Sequence, residues 1–510
     1  MYKQLTPQLI LGIVALYFLV LMAIAYFTGR NAKNNDFFIA GRKSPWYLVA
    51  FGMIGASLSG VTFISIPGII GAGGANQSFS YMQVVFGYLL GYLVIATVLM
   101  PVYYKLNLTS IYTYLETRFG IAAYKTGASF FILSRTIGAA FRLFLVAIVL
   151  QQFVLAPLGV PFWMTVAGTI LLIWIYTFQG GIKTIVWTDS LQTFCMLLAV
   201  VLTVLAIGDA MSLDVGGLIN RVKTSEYSQM FFFENGWADK NNFFKQFLSG
   251  ASIAIVMTGL DQDMMQKNLS CKNIGDAQKN MFWFSVVLVF ANLLFLTLGV
   301  LLYLYAADIG MEMPMRDGKV ATDLIFPTIA LQHLTPTIGI VFILGLIAAA
   351  YSSADSALTA LTTSFCVDIL GFDKKEDSES KELKKTRRLV HIGFSVLLFV
   401  VILLFSNFSR SVINDLFRIA GYTYGPLLGL YAFGFFTKFK IKDNLAPIVC
   451  IASPILTYII NANSEQLLFG YKFGFELLIL NGLITFLGLL AISKASNSSD
   501  SSDVLDTVKF

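Results

Sequence analysis

Gly55-Ala56-Ser57-Leu58-Ser59-Gly60-Val61-Thr62 sits in the middle of an apolar stretch that runs over 46–74. Two glycines and three hydroxyls at the centre of a bilayer-length segment, with Pro67 following, predict that the helix breaks there. A second stretch behaves the same way. Ile253-Ala254-Ile255-Val256 gives way to Thr258-Gly259-Leu260-Asp261-Gln262-Asp263, which puts two carboxylates inside a span. Each interruption opens a block of five spans, 46–208 and 245–436, and an odd number of spans inverts the second block relative to the first. Paired broken helices at matching places in inverted halves are the pattern of secondary transporters, because unwound backbone frees carbonyls and N–H groups at the midplane. A single Gly/Ser-rich break would equally suit close helix packing; two in register favour a transport site.

Working outward, the composition agrees. The 510 residues are 57% hydrophobic and only 13% charged, with a mean hydropathy of +0.74, so the chain is an all-α integral membrane protein. Thirteen apolar segments qualify as membrane-crossing helices, near 9–28, 46–74, 80–100, 124–154, 161–178, 184–208, 245–265, 278–308, 335–370, 389–407, 416–436, 443–462 and 474–493. The first is kept as a span rather than a signal peptide, since only Lys3 precedes it and Arg30 and Lys33 follow it. The expected organisation is an N-terminal helix and loop (1–45), a first repeat (46–208), an outer loop (209–244), a second repeat (245–437), two peripheral helices (438–493) and a disordered tail (494–510).

The net charge of +6 is an orientation signal. Of the 35 Lys and Arg, 23 fall in one set of loops and the C-terminal tail, nine on the opposite side and three inside spans. By the positive-inside rule the N-terminus is outside and the C-terminus cytoplasmic, in a bacterial-type inner membrane. This reading leaves no role for nucleic acid. The four cysteines, Cys195, Cys271, Cys366 and Cys450, are scattered singly and suggest neither a disulfide framework nor a metal site. No phosphate-binding GxxxxGK[ST] loop is present, and the histidines His333 and His391 lack metal-site spacing, so nothing reads as an enzyme.

Seven charges are read as standing in the central part of spans: Arg135, Arg142, Asp189, Asp261, Asp263, Asp355 and Arg418. Each costs at least ~2.5–3.5 kcal/mol at the bilayer centre, so such residues pair with each other or line a polar path. In Ala348-Ala349-Ala350-Tyr351-Ser352-Ser353-Ala354-Asp355-Ser356, helical spacing places Ser352, Asp355 and Ser356 on one face. Hydroxyls, carbonyls and carboxylates are the hard oxygen donors a small alkali cation requires.

Several strings then bring a family into view. Asp36-Phe37-Phe38-Ile39-Ala40-Gly41-Arg42, Tyr114-Leu115-Glu116-Thr117-Arg118-Phe119-Gly120 and the run from Gly180 to Gln192 with Ile185-Val186-Trp187-Thr188-Asp189-Ser190 resemble the sodium/solute symporters. So do the run at 348–356 and Gln266-Lys267. The resemblance covers roughly 10–437 and implies the five-plus-five inverted-repeat fold of the leucine-transporter type, with one helix before the core and two after it. It implies one or two sodium ions. The common site would use carbonyls of Gly55, Leu58 and Ala349 with the hydroxyls of Ser352 and Ser353. A second would use Asp189, Ser352, Asp355 and Ser356, where an aspartate at 355 is more acidic than the family pattern. Ser57, Ser59, Thr62, Gln83 and Arg142 resemble the solute pocket of the sialic-acid branch, with Asp261 and Arg418 as further pocket residues and Phe79, Tyr81, Tyr88 or Tyr422 as gates.

The function expected is therefore sodium-coupled import of a small polar solute by alternating access, most simply a carboxylate-bearing sugar acid such as sialic acid, by a monomer in the lipid bilayer. A neutral sugar, polyol or amino acid fits if Arg142 and Arg418 merely satisfy Asp261 or Asp263. Proton coupling through Asp189 and Asp355 is a further alternative, and a solute sensor or leak channel on the same fold lies in a different class.

Overall fold

A computed structural model describes residues 6–30, 34–71, 76–178, 181–234, 236–316, 318–375, 380–405 and 412–494. Residues 495–510 of the tail expected to be disordered lie outside the described residues. The apolar helices of the membrane region are numbered here in chain order: α1 Pro7–Gly29, α2 Trp46–Ser57, α3 Gly60–Ile69, α4 Tyr81–Lys105, α5 Ile121–Leu158, α6 Phe162–Thr177, α7 Ile182–Ala210, α8 Phe243–Gly259, α9 Gln262–Leu269, α10 Ile274–Asp308, α11 Pro336–Ile369, α12 Lys381–Phe405, α13 Val412–Thr423, α14 Gly425–Phe436, α15 Asp443–Ala462 and α16 Leu477–Ala491.

Eight of these are long and apolar enough to cross a bilayer alone, and two bent pairs raise the number to ten. The pairs are the two interruptions read from the sequence: α2 and α3 meet at 53°, α8 and α9 at 63°. The expectation of thirteen spans also counts α6, α14 and α16, which are shorter than the ~20 residues an upright span needs. The segment 416–436, expected as one helix, is divided at Tyr424 into α13 and α14. Pro426 in the first turn of α14 explains the interruption: a proline has no N–H to continue the ladder and its ring crowds the preceding turn.

The centre of the bundle is α11, where 78% of the most apolar window is buried, against 22% in α1 and α15. Small residues let its neighbours close in. The largest helix contacts pair α7 with α11 and α4 with α8. In the second pair, Gly87 and Gly250 press directly on backbone of the partner helix, leaving no room for a side chain. Helix starts are set locally: Asn242 caps α8 through Phe244 N–H at 3.1 Å, and Asn273 caps α10 through Asp276 N–H at 2.9 Å. Large apolar side chains such as Phe27, Leu16 and Phe290 remain exposed on the outer surface, as a lipid-facing perimeter requires. The four cysteines are free.

Candidate functional site

At the first break the helical ladder stops at Leu58, whose N–H bonds Ile54 C=O at 2.8 Å, and resumes with Phe63 N–H on Ser59 C=O at 3.0 Å. Leu58 and Ser59 leave the helical region, with ψ of 63° and 177°, which opens the carbonyl ladder between the two half-helices. The break is possible because its glycines admit neighbours. A Cβ on Gly55 would run into the Thr193 hydroxyl of α7 and lie 3.3 Å from Ser352 Oγ of α11, and Gly55 N–H donates to Thr193 Oγ1 at 3.0 Å. Ser353 Oγ reaches Ala56 C=O at 3.5 Å. Gly55, Ser352 and Ser353 are thus gathered where α2, α7 and α11 converge, with Ala349 buried one turn earlier in α11 and Leu58 at the end of α2 on the cavity side.

One turn further along α11 the polar content rises. Asp189 Oδ1 accepts from Ser352 Oγ at 2.7 Å, and Oδ2 accepts from Ser356 Oγ at 3.4 Å. The periodicity expected to align Ser352, Asp355 and Ser356 does bring the two hydroxyls to one carboxylate. Asp355 sits beside them, its Oδ1 accepting from Ser356 Oγ at 3.2 Å and its Oδ2 from Tyr176 OH of α6 at 2.8 Å. All of these groups are inaccessible to solvent. Asp189 is ion-paired: Lys267 Nζ of α9 lies 2.6 Å from its Oδ2. The partnership of Tyr176 and Lys267 with these acids is not legible in the sequence, although Gln266-Lys267 is part of the family resemblance.

On the other side of the break lies a cavity of about 80 Å³ lined by Ser57, Leu58, Ser59, Thr62, Tyr81, Tyr88, Arg135 and Arg142, with Met257, Thr258, Leu416 and Phe417 from α8 and α13. That is room for several water-sized groups. Ser57, Ser59, Thr62 and Arg142 all line this one cavity. Tyr81 and Tyr88 bond each other's hydroxyls at 3.0 Å in the lining, whereas Phe79 and Tyr422 lie elsewhere, the latter accepting from Asn461 Nδ2 at 2.9 Å.

Three pocket expectations are corrected. Gln83 does not line the cavity: its amide nitrogen donates to Asn241 C=O at 2.8 Å and to Gln246 Oε1 at 3.2 Å, and its Oε1 accepts from Phe232 N–H at 3.1 Å. It fastens the 229–246 loop segment to α4. Arg418 is exposed on α13, outside the cavity. Asp261 is buried behind the second break, capping α9 through Asp263 N–H at 2.9 Å and accepting from Tyr424 OH at 2.5 Å. Its acid neighbour Asp263 is ion-paired with Arg135, which also stands 3.8 Å from Asp261. So Arg135, and neither Arg142 nor Arg418, satisfies the pair of aspartates. Among the described residues Arg142 makes no ion pair, and its Nε has no hydrogen-bond partner.

The two breaks differ in how their backbone is satisfied. Gly259 C=O accepts from Tyr103 OH at 3.0 Å and Leu260 C=O from Tyr112 OH at 2.9 Å. The carbonyls of the second break are taken by protein donors, although Thr258 and Met264 beside it line the cavity, while the first break lies between the cavity and the Asp189 cluster.

Two bent helices flanking a cavity lined by hydroxyls and two arginines define a secondary transporter. The model of the sodium:solute symporter family matches residues 37–440, and the chain belongs to that family of sodium-coupled symporters. It is 26% identical to a sodium/sialic acid symporter NanT of Aliivibrio fischeri over 97% of this chain and 95% of that one. It is 24% identical to a sodium/sialic acid symporter SiaT of Proteus mirabilis, covering 91% and 92%, and 26% identical to the human sodium/iodide cotransporter, covering 83% and 65%. Among solved structures, a sodium-coupled sialic acid symporter in a substrate-bound outward-open state superposes with a TM-score of 0.79 at 21% identity, covering 95% of this chain and 98% of that one. The nucleobase-cation-symport transporter Mhp1 gives 0.55 at 14% identity, covering 89% and 93%. The fold is accordingly the five-plus-five inverted-repeat fold with broken helices.

Proposed function

We propose that the chain imports a carboxylate-bearing sugar acid, sialic acid being the leading candidate, together with sodium. The observation that carries this reading is Arg142: a buried guanidinium on the wall of the Ser57, Ser59 and Thr62 cavity whose neighbouring acids are already taken by Arg135. A guanidinium is matched in shape and charge to a carboxylate, and burying it unpaired is costly unless a ligand supplies the counter-charge. The names of the two bacterial relatives, both sialic acid symporters aligned over nearly their whole length, support the same solute.

Sodium is cargo as well as driving force. One ion would lie at the first break against the carbonyls of Gly55, Leu58 and Ala349 and the hydroxyls of Ser352 and Ser353. A second would lie against Asp189, Ser352 and Ser356, with Asp355 beside it. Binding at the α2–α3 break stabilises the solute pocket a few residues away, so ion and solute bind with positive coupling. The repeats at 46–208 and 245–437 then rock about the break to expose it alternately to each side. The Lys/Arg-rich loops face the cytoplasm, so the N-terminus is outside, and the transporting unit is a monomer in a bacterial inner membrane. Uptake of labelled sialic acid by proteoliposomes tests the whole reading: it requires an inward sodium gradient, and equal uptake driven by a pH gradient with choline replacing sodium defeats it.

A further inference from the structure

The cation that meets Asp189 is supplied by the protein itself. Lys267 projects from α9, the half-helix beyond the second break, and its Nζ lies 2.6 Å from the oxygen of Asp189 that also accepts from Ser356. Ser352 holds the other oxygen at 2.7 Å. Lys267 and Asp189 are both buried. An ammonium and a sodium ion carry the same charge and seek the same oxygens, so the Asp189 oxygen held by one is denied to the other. Exchanging one for the other keeps the buried charge constant, which avoids the penalty of leaving Asp189 unpaired.

Asp355 adds a second carboxylate to the enclosure, and among the described residues it has no ion pair of its own. Asp355 thus stays beside Asp189 whichever cation, ammonium or sodium, holds the Asp189 oxygen. The chemistry of the residue also suits exchange: lysine carries a compact charge on a flexible stem, whereas arginine would fix a carboxylate with a rigid fork. The neighbours of Lys267 tie α9 to the segment before α2, to α11 and to α4. Gln266 Nε2 donates to Phe38 C=O at 2.5 Å and to Thr363 Oγ1 of α11 at 2.8 Å, and Tyr104 OH donates to Asn268 C=O at 2.8 Å.

We propose that Lys267 is a tethered competitor for the ion bound at Asp189: its ammonium holds the site when sodium is absent and withdraws when sodium enters, so that α9 reports the occupancy of a site built on α7 and α11. The inference rests on the reading of Asp189 as an ion ligand given above. Binding of radiolabelled sodium to the purified full chain in lipid nanodiscs, without solute, tests it. Lys267→Met, which keeps the stem and removes the charge, should bind sodium at least tenfold more tightly while its uptake turnover falls, because nothing displaces the ion. Lys267→Arg should bind sodium more weakly than the wild type. The double variant Asp189→Asn, Lys267→Met should match Asp189→Asn alone. Unchanged or weaker sodium binding by Lys267→Met shows a fixed structural counter-ion and overturns the proposal. If Lys267→Met does not fold, the arginine variant decides, and unchanged or tighter binding there overturns it equally. If Asp189→Asn binds sodium as the wild type does, the ion-ligand reading itself fails and takes this inference with it. If Asp189→Asn weakens binding and the lysine variants are silent, only the inference fails.

Discussion

Replacing Arg142 by alanine separates a solute anchor from a structural charge. In the structure its guanidinium lies on the cavity wall with no acid partner among the described residues, while the adjacent Arg135 holds Asp263 and Asp261. Removing it therefore breaks no intramolecular pair and eliminates a like charge beside Arg135, so the melting temperature should hold or rise. Binding should move the other way. Truncating one member of a desolvated charge pair costs about 2–5 kcal/mol, and a tenfold change in affinity is about 1.4 kcal/mol, so sialic acid should bind roughly 30- to 4,000-fold more weakly. Arg142→Lys restores the charge without the two-point fork and should recover only part of the loss. Calorimetric titration of the purified protein in saturating sodium, run with sialic acid and with its carboxylate methyl ester, turns this into a thermodynamic cycle. The wild type should discriminate strongly against the ester and Arg142→Ala should not. Equal discrimination by both proteins, or sialic acid binding unchanged in Arg142→Ala, refutes the carboxylate contact and leaves a neutral solute as the reading.

The other expectations are separable. Ser352→Ala and Ser353→Ala should each raise the sodium concentration for half-maximal uptake, the former more, because Ser352 also donates to Asp189. Asp189→Asn should reduce the Hill coefficient for sodium from near two towards one with residual transport, read from initial uptake rates; a wild-type coefficient of one sinks the second ion. Arg135→Leu strands two buried carboxylates and should destabilise the protein by about 3–5 kcal/mol, with partial recovery on adding Asp263→Asn, measured by thermal unfolding in detergent. Two sodium ions moving with one monoanion carry a net positive charge inward, driven by ~2.3 kcal/mol per 100 mV, so solute addition should evoke an inward current on a solid-supported membrane.

Both bends in the bundle were legible because glycine, hydroxyls and acids inside an apolar run contradict its surroundings, and that contradiction is visible without any partner. The same holds for Ser352 and Ser356, whose spacing alone places them on one face. What stayed hidden was pairing across the chain. Asp261 and Asp263 announced themselves as buried acids, yet three arginines in spans were available, and only the bundle shows that Arg135 faces them. Gln83 was misread for a related reason: an amide in an apolar helix resembles a pocket donor, but its partners come from a loop with no periodicity to place it. The division of 416–436 at Tyr424 did leave a trace in Gly425-Pro426, which the high hydropathy of the segment obscured.

The unequal treatment of the two breaks separates what selection can alter from what it cannot. Tyr103, Tyr112 and Tyr424 interlock with the second break, so a change at any of them disturbs folding before it reaches the cargo. Ser57 and Thr62 lie on the cavity side of the first break, and Tyr92, the hydrogen-bond partner of Ser57, lines the cavity with them, so substitution there alters what the cavity recognises at little cost to assembly. A lineage built this way can change its diet by drift at one bend while the other keeps the scaffold intact.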